Sequence, residues 1–374
     1  LATIVLLAGS MSFREIVDAQ AGYYFGLVPR WNVFVMFIVG LELDTKLLKK
    51  QGGVAGLVSH ASIILPFVLG AALALVLFTG FAPAGIPFHI FALFMGISMS
   101  ITAFPVLASI LKERKLMKTP LGSVALTSAA IDDATAWPLL AFVVALAASG
   151  SGMGALPMLG LTAAFVAVMF GVVKPLLANW VNKLTPEQSE NPASAVIPVL
   201  LVILSALATE MIGIHALFGA FIAGVIIPRQ APLRHHMEKW LGNFSGLILL
   251  PIFFAMTGLR TELGLIAGPM ELAITAGIVL VAMAGKLGGA AAAARWSGLG
   301  WRDSLSLGAL MNTRGLMELI VLNIGYNMGI LSPTLFAMLV VMAVATTIMT
   351  APLLSLINRG RTKADSEMIT EART

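Results

Sequence analysis

The sequence contains no cysteine, and only 11% of its 374 residues are charged. Without cysteine the chain has no disulfides, no thiolate metal ligands and no cysteine nucleophile. A soluble domain carries about 25% charged residues, so this composition excludes an ordinary soluble domain. The sequence also lacks a Walker-type phosphate loop, an HExxH zinc motif and a nucleophile elbow. We therefore expect no enzymatic activity, no cofactor, and no nucleotide or nucleic-acid partner.

Apolar residues and glycine are abundant. Hydrophobic residues make up 59% of the chain, 36 residues are glycine, and the mean hydropathy is +0.96, which is typical of closely packed membrane helices. We predict an all-α, polytopic protein of the lipid bilayer with about 11 to 13 transmembrane helices, and we expect residues 1–30 to begin inside a first helix. The other predicted spans are 31–43, 54–80, 87–111, 119–148, 155–180, 194–211, 213–228, 240–259, 268–293, 303–326 and 333–357.

Basic residues alternate with uncharged loops along these spans. In bacterial and eukaryotic membranes, short cytoplasmic loops carry an excess of lysine and arginine. The pattern therefore predicts a multi-pass protein of the inner (plasma) membrane with a cytoplasmic C-terminus. The basic segments are 45–51, 112–118, 229–239, 295–302 and the tail from Arg359, and the uncharged loops are 81–86, 149–154 and 327–332.

Two predicted spans contain residues that interrupt a helix. Pro105 lies within 96–111, and Pro251 and Gly258 lie within 249–263. Proline removes a backbone donor and clashes with the preceding turn. Interrupted helices in corresponding halves of a membrane protein are typical of transporters with inverted repeats. A simple kink is the alternative for either segment alone.

Two adjacent carboxylates, Asp132 and Asp133, lie near the middle of the predicted span 119–148. Charged groups inside the bilayer are costly, and they usually mark ion or proton pathways. Adjacent helical positions differ by about 100°, so one carboxylate can face a cavity while the other faces a neighbouring helix. The alternative, a pair of aspartates that caps a helix start, is disfavoured by the apolar residues before them.

Three further charged residues lie within predicted spans. Lys286 is flanked by glycine and alanine, and it is the candidate partner for a buried aspartate. Arg314 and Glu318 are spaced i,i+4 and can pair on one helical face. We leave open whether that pair is structural or has a role in gating.

Six motifs, in this order, resemble the monovalent cation:proton antiporter-2 family, especially bacterial NapA-type sodium/proton antiporters and plant cation/proton exchangers. The motifs are SITAFPVLASIL, SAAIDDATAW, GIHALFGAFIAGVIIP, PIFFAMTGLRTEL, AGKLGGA and MNTRGLMELIVLNIG. The resemblance implies an NhaA-like fold with inverted repeats, two crossed unwound helices and a homodimeric assembly. Plant exchangers usually have lysine where Arg314 stands, which is a departure from their pattern.

The resemblance also implies a division of the chain. Residues 1–80 would hold scaffold and dimerisation helices and the start of the core, and 81–148 the first core repeat. Residues 149–235 would link the repeats, 236–357 would form the second core repeat, and 358–374 a short cytoplasmic tail. By this likeness the two unwound helices contain 102–105 and 251–258.

By the same resemblance, Asp133 matches the essential cation- and proton-binding carboxylate, and Asp132 matches the partner of Lys286. Such a pair is typical of the electrogenic branch. Physical chemistry adds the oxygen ligands that a hard cation prefers: Na+ (or K+) at Asp133 and Asp132 would also contact the hydroxyl of Thr102 or Ser128.

The sequence thus predicts a secondary antiporter that exchanges Na+ or Li+ for protons, with both ions competing for Asp133 in an elevator-like cycle. A K+/H+ antiporter of the same family is the first alternative. A sodium-coupled organic anion symporter of the same fold is a weaker one, because the scaffold helices offer no evident site for an acidic substrate.

Overall fold

A computed structural model describes residues 32–42, 52–149, 152–185, 187–188, 191–228, 234, 237, 247–248 and 250–358, and these residues are largely helical. A π-helical segment, Met169–Val173, joins α6 to α7, and short 3-10 helices cover Pro192–Ala195 and Leu263–Ile266. In chain order the α-helices are α1 (Asn32–Glu42), α2 (Gly52–Phe81), α3 (Phe88–Ser100), α4 (Phe104–Glu113), α5 (Pro120–Ser149), α6 (Gly152–Val168), α7 (Lys174–Val181), α8 (Val196–Ile212), α9 (Ala216–Ile226), α10 (Leu250–Arg260), α11 (Pro269–Trp296), α12 (Trp301–Met311), α13 (Leu316–Asn327) and α14 (Pro333–Ile357).

Seven helical segments among the described residues are long and apolar enough to cross a bilayer. The pair α12 and α13, bent by 45° at its break, supplies an eighth if it is one span. These findings confirm an all-α polytopic membrane protein. The predicted spans 31–43, 213–228 and 240–259 contain shorter helices, α1, α9 and α10. The predicted helix within residues 1–30 lies outside the described part of the chain.

The chain divides into two compact units. The described residues of the first unit are 32–42 and those from Trp137 to Leu263, and the second unit contains 52–136 and 264–358. Helix α2 belongs to the second unit because it packs along α3 and α11, and α10 belongs to the first unit. Packing between helices, which chain order does not reveal, sets this membership.

The second unit contains the same three-part sequence of helices twice. A long helix, an interrupted helix and another long helix follow one another, first as α2, α3–α4 and α5, and then as α11, α12–α13 and α14. Helix α11 packs against α2, α12 and α14. The interrupted helices α3–α4 and α12–α13 thus hold corresponding places in the two parts.

Glycines on α11 allow its backbone to approach α2 closely. A Cβ atom added at Gly289 would lie 2.5 Å from the carbonyl oxygen of Ala61, and one at Gly285 would lie 2.8 Å from the Cα of Pro66. Small residues at helix contacts are characteristic of membrane bundles, where close packing supplies much of the association energy. These contacts set the distance between α2 and α11 on either side of Lys286.

The first interruption is found where it is predicted. Helix α3 ends at Ser100, residues 101–103 are not helical, and α4 begins at Phe104 with Pro105 in its first turn. Proline is favourable in a first turn because its missing N–H has no intrahelical acceptor there. The break therefore follows from the local sequence.

The second interruption lies elsewhere than predicted. The sequence predicts it around Pro251 and Gly258, yet the structure has a continuous helix from Leu250 to Arg260 in that segment. Pro251 is the second residue of this helix, a position that proline tolerates. The break in the second repeat instead separates α12 from α13 at residues 312–315, where the sequence contains no proline.

In the first unit, helix α9 packs against α1 and α8. Trp137, at the end of α5 that belongs to this unit, stacks on Phe221 of α9 with ring centroids 5.4 Å apart. Many residues of α6 and α8 expose apolar side chains, among them Leu161, Leu204 and Leu207. Such faces suit contact with lipid chains.

Candidate functional site

Asp132 lies on α5 in the second unit and is completely buried. Ser59 Oγ donates a hydrogen bond to its Oδ1 atom at 2.5 Å, and Ser62 Oγ and Thr102 Oγ1 donate to Oδ2 at 3.0 and 2.6 Å. The Lys286 ammonium lies 3.1 Å from the same Oδ2 atom. An ionised carboxylate only accepts hydrogen bonds, so this set of donors suits the ionised form.

Lys286 is also completely buried, in the middle of α11. Its Nζ atom donates to Thr102 Oγ1 at 2.6 Å and to Ser62 Oγ at 3.4 Å, in addition to Asp132. The lysine side chain therefore lies inside the second unit and does not extend to its surface. Removing one partner of a buried ion pair leaves an uncompensated charge, and this is strongly destabilising.

Asp133 follows Asp132 on α5 and is only 2% exposed. Because successive helical positions differ by about 100°, its carboxylate leaves the helix in a different direction. Thr102, in the non-helical segment 101–103, places its hydroxyl 2.6 Å from Asp132 Oδ2, and carboxylate and hydroxyl oxygens are ligands that a hard cation prefers. Among the described residues, no three His, Cys, Asp or Glu side chains gather in the manner of a resident metal centre.

Ser128 lies one turn before Asp132 on α5, but its hydroxyl has a different partner. Ser128 Oγ donates to the main-chain carbonyl of Ala55 on α2 at 3.1 Å. The structure therefore assigns this hydroxyl to helix packing and not to the group around the aspartates. Thr102, the other predicted hydroxyl, does lie in that group.

The two helix breaks meet in the second unit. The N–H of Ala103 donates to the carbonyl of Thr313 at 3.0 Å. Next to this bond, the buried Arg314 guanidinium donates to the carbonyls of Ser98 and Met99 at 2.9 and 2.6 Å. These carbonyls belong to the last turn of α3, where a positive charge is favourable because it complements the helix dipole.

Arg314 also pairs with Glu318, as the i,i+4 spacing predicts. Its Nη1 atom lies 2.8 Å from Glu318 Oε2, and both side chains are completely buried. One guanidinium thus joins α13 to the end of α3. The pair has a structural contact that the spacing alone does not reveal.

In the first unit, two titratable side chains lie at the junction between α8 and α9. Glu210 Oε2 accepts from the N–H of Ala216 at 2.9 Å, and His215 Nδ1 accepts from the N–H of Leu217 at 3.4 Å. Burial lowers the pKa of His215, and the charge of Glu210 opposes that effect. Both side chains cap the first turn of α9, which accounts for their place in the sequence.

In the same unit, Pro251 and Gly258 lie within α10.

Two members of the Asp132 group, Ser59 and Ser62, are not among the sequence candidates. They lie three residues apart in the apolar segment LVSHASIIL, so they share one face of α2. Two hydroxyls on one face of a largely apolar helix were the sequence signal that could have identified them as site residues. The sequence does not reveal which helix they contact.

Comparison with known proteins gives matches over most of the chain. Residues 32–356 match a family model described as "Sodium/hydrogen exchanger, transmembrane". The chain is 44% identical over 326 residues to the Na(+)/H(+) antiporter NhaS4 of Synechocystis, and this alignment covers 86% of this chain and 78% of that protein. It is 33% identical over 334 residues to the K(+)/H(+) antiporter 1 of Saccharomyces cerevisiae, and this alignment covers 87% of this chain but only 38% of that longer protein.

A solved structure shares the fold. The sodium proton antiporter MjNhaP1 from Methanocaldococcus jannaschii aligns with a TM-score of 0.66 over 96% of this chain and 90% of that one. The two sequences are only 15% identical, so this likeness concerns the fold alone.

Proposed function

Because the chain belongs to the sodium/hydrogen exchanger family, whose members are secondary transporters and not enzymes, we propose that it exchanges Na+ or Li+ for protons across a membrane. One observation carries the proposal. A transmembrane helix buries two adjacent carboxylates, Asp132 and Asp133, and the first is ion-paired with a buried lysine. Ionisable groups at this depth mark ion and proton pathways.

In the proposed cycle, a proton and a cation compete for Asp133. A carboxylate can bind either ligand, and both neutralise its charge. The unit that holds the site changes its access from one side of the membrane to the other only when Asp133 is neutralised. Exchange follows from this rule, because neither direction of movement is allowed with an empty, charged site.

In the proposed cycle, Lys286 determines the net charge that is moved for each transported cation. Lys286 pairs with Asp132, and in the proposed cycle this pair is present while Asp133 is protonated. When a cation recruits Asp132 as a second ligand, the lysine loses its partner and releases its proton. More than one proton then moves for each cation, so we propose that the exchange is electrogenic.

The donors around Asp132 all come from the second unit. We propose that this unit carries the site in an elevator-like movement, that the protein works as a homodimer, and that it resides in the inner (plasma) membrane. The exposed apolar residues of α6 and α8 are compatible with a scaffold in contact with lipid or a second copy.

The first test is transport by the purified chain in proteoliposomes. We expect Asp133→Asn to abolish sodium-dependent proton movement, because the amide cannot exchange a proton for a cation. Asp303→Asn is the matched control, since Asp303 is exposed in the first turn of α12 and should leave transport unchanged. Substantial exchange by Asp133→Asn would exclude the proposed site.

Potassium is the alternative substrate, because one relative is named a K(+)/H(+) antiporter. The same proteoliposomes decide between the cations when Na+, Li+ and K+ are added separately at symmetric pH. Proton movement with K+ alone would assign the chain to potassium exchange through the same carboxylates.

A further inference from the structure

Helix α2 contributes two uncharged donors to the buried ion pair. Ser59 donates to Asp132 Oδ1 and Ser62 to Oδ2, so the two serines together bind both oxygens of the carboxylate. Both serines are completely buried. A serine hydroxyl keeps its donor at every physiological pH, whereas the ammonium of Lys286 provides its donor only while it is protonated.

Ser62 has a second contact that links it to the lysine. Lys286 Nζ lies 3.4 Å from Ser62 Oγ, so the hydroxyl contacts both the ammonium and the carboxylate. The close packing of Gly285 and Gly289 against α2 holds the two helices at this distance. The serines are therefore part of a rigid contact between α2 and α11.

We propose that Ser59 and Ser62 are positioning residues that hold Asp132 when Lys286 withdraws, and thereby allow a transported cation to displace the lysine. The proposal rests on the antiport function above. While the lysine is bound, four donors share the carboxylate and each matters less. Once the ammonium leaves, the two serines and Thr102 carry the stabilisation, so their loss penalises the lysine-released state more than the paired state.

Other charged groups near the pair are Asp133, which follows Asp132 on α5, and Arg314 and Glu318, which interact electrostatically with Lys286. None of them is altered by substitution of the serines. A change in cation affinity in the serine variants is therefore attributable to the donors of α2.

The experiment compares Ser59→Ala/Ser62→Ala with wild-type protein in proteoliposomes, by proton movement and by charge movement per cation. We expect the KM for the transported cation to rise about tenfold, since a hydrogen bond to a charged group contributes free energy of this order. We expect the maximal rate to stay within about twofold of wild type and the charge moved per cation to fall, because Lys286 keeps its proton in more of the cycles.

Ser100→Ala is the matched control. Ser100 is also buried in this unit and contacts α2, but it donates only to the main-chain carbonyls of Ile63 and Gly96. Ser59→Cys/Ser62→Cys keeps the volume of the side chains with a weaker donor, and it should give an intermediate KM. If the alanine variant does not fold, the cysteine variant still tests the prediction.

Three outcomes overturn the inference. The first is a KM that stays within about twofold of wild type in both serine variants. The second is an equal rise in KM with Ser100→Ala. The third is a wild-type KM in the cysteine variant while the alanine variant is impaired, because that result would indicate an effect of packing alone. If the wild-type protein moves protons in response to a cation and the serine variants match it, only this inference is refuted. Wild-type protein without such movement refutes the proposed function as well.

Discussion

Arg314 makes hydrogen bonds beyond its ion pair with Glu318. Its guanidinium binds two carbonyls of the last turn of α3 and one carboxylate oxygen of α13, all in the buried interior. Arginine provides several donors in a planar arrangement, which lysine cannot reproduce. The residue therefore stabilises the end of α3 as well as neutralising Glu318.

We expect Arg314→Met to lower the thermal unfolding temperature of the purified protein markedly, because it leaves Glu318 buried without its cation. Breaking a buried pair costs about 3–5 kcal/mol. The double variant Arg314→Met/Glu318→Gln should recover part of this loss, since it removes both charges. Equal unfolding temperatures for the single and double variants would show that the charge of Glu318 does not contribute.

At the same scale, sequence reasoning identified the charged members of the site but not all of their partners. Asp132 and Lys286 were predictable because a charge in a transmembrane helix needs a partner, and the structure brings them together with Thr102. Ser59 and Ser62 were missed because small hydroxyl residues are common in membrane helices. Their identity as donors depends on which helix lies opposite, and a single sequence does not contain that information.

At the scale of elements, the two helix breaks illustrate what local sequence can predict. The first break has a local cause, Pro105, and it was predicted at its observed position. The second break has no proline. It coincides with the contact between Thr313 and Ala103 and with the bonds from Arg314 to α3, so its cause is tertiary. Pro251, the second residue of α10, drew the prediction to the wrong helix, since the break of the second repeat lies at residues 312–315.

Two adjacent glycines of α11 test how closely this helix must approach α2. A Cβ atom at Gly289 would lie 2.5 Å from the carbonyl oxygen of Ala61, whereas one at Gly288 would meet only a Leu65 methyl at 3.9 Å. We expect Gly289→Ala to separate the helices, lower the unfolding temperature and impair transport, since Lys286 lies between these contacts. Gly288→Ala should be neutral or stabilising by about 0.5–1 kcal/mol, because alanine is the better helix former.

Thermal unfolding and transport of the two variants, measured in parallel, check this prediction. The two glycines differ by one position on the same helix, so expression, detergent and lipid effects are shared. If Gly289→Ala behaved like Gly288→Ala in both measurements, close approach of α11 to α2 would not be required for the site.

At the scale of the whole molecule, charge is concentrated at one end of the second unit. Arg114 of the first repeat donates to Ser355 Oγ and Asn358 donates to Ser306 Oγ, so the last turn of α14 lies beside the end of α4 and the middle of α12. Exposed tryptophans lie beside the charges, as in the aromatic belts of membrane interfaces: Trp296 is 84% and Trp301 is 63% exposed. The exposed basic residues at this end are Lys112, Arg114, Lys115, Lys118, Arg295 and Arg302.

The opposite loops of the same unit, 82–87 and 328–332, contain no charged residue. Since short cytoplasmic loops are enriched in lysine and arginine, we expect the basic end to face the cytoplasm. The absence of cysteine from the chain makes this directly testable, because any labelling by a membrane-impermeant maleimide reports an introduced residue. Lys118→Cys and Ala84→Cys place such a residue in exposed positions at the two ends.

We expect Ala84→Cys to be labelled in intact cells and Lys118→Cys only in inside-out vesicles, with the cysteine-free wild type as the blank in both. The expectation follows from the distribution of charge and not from the site, so it holds for either transported cation. The reverse pattern would place the basic end outside, against the predicted topology.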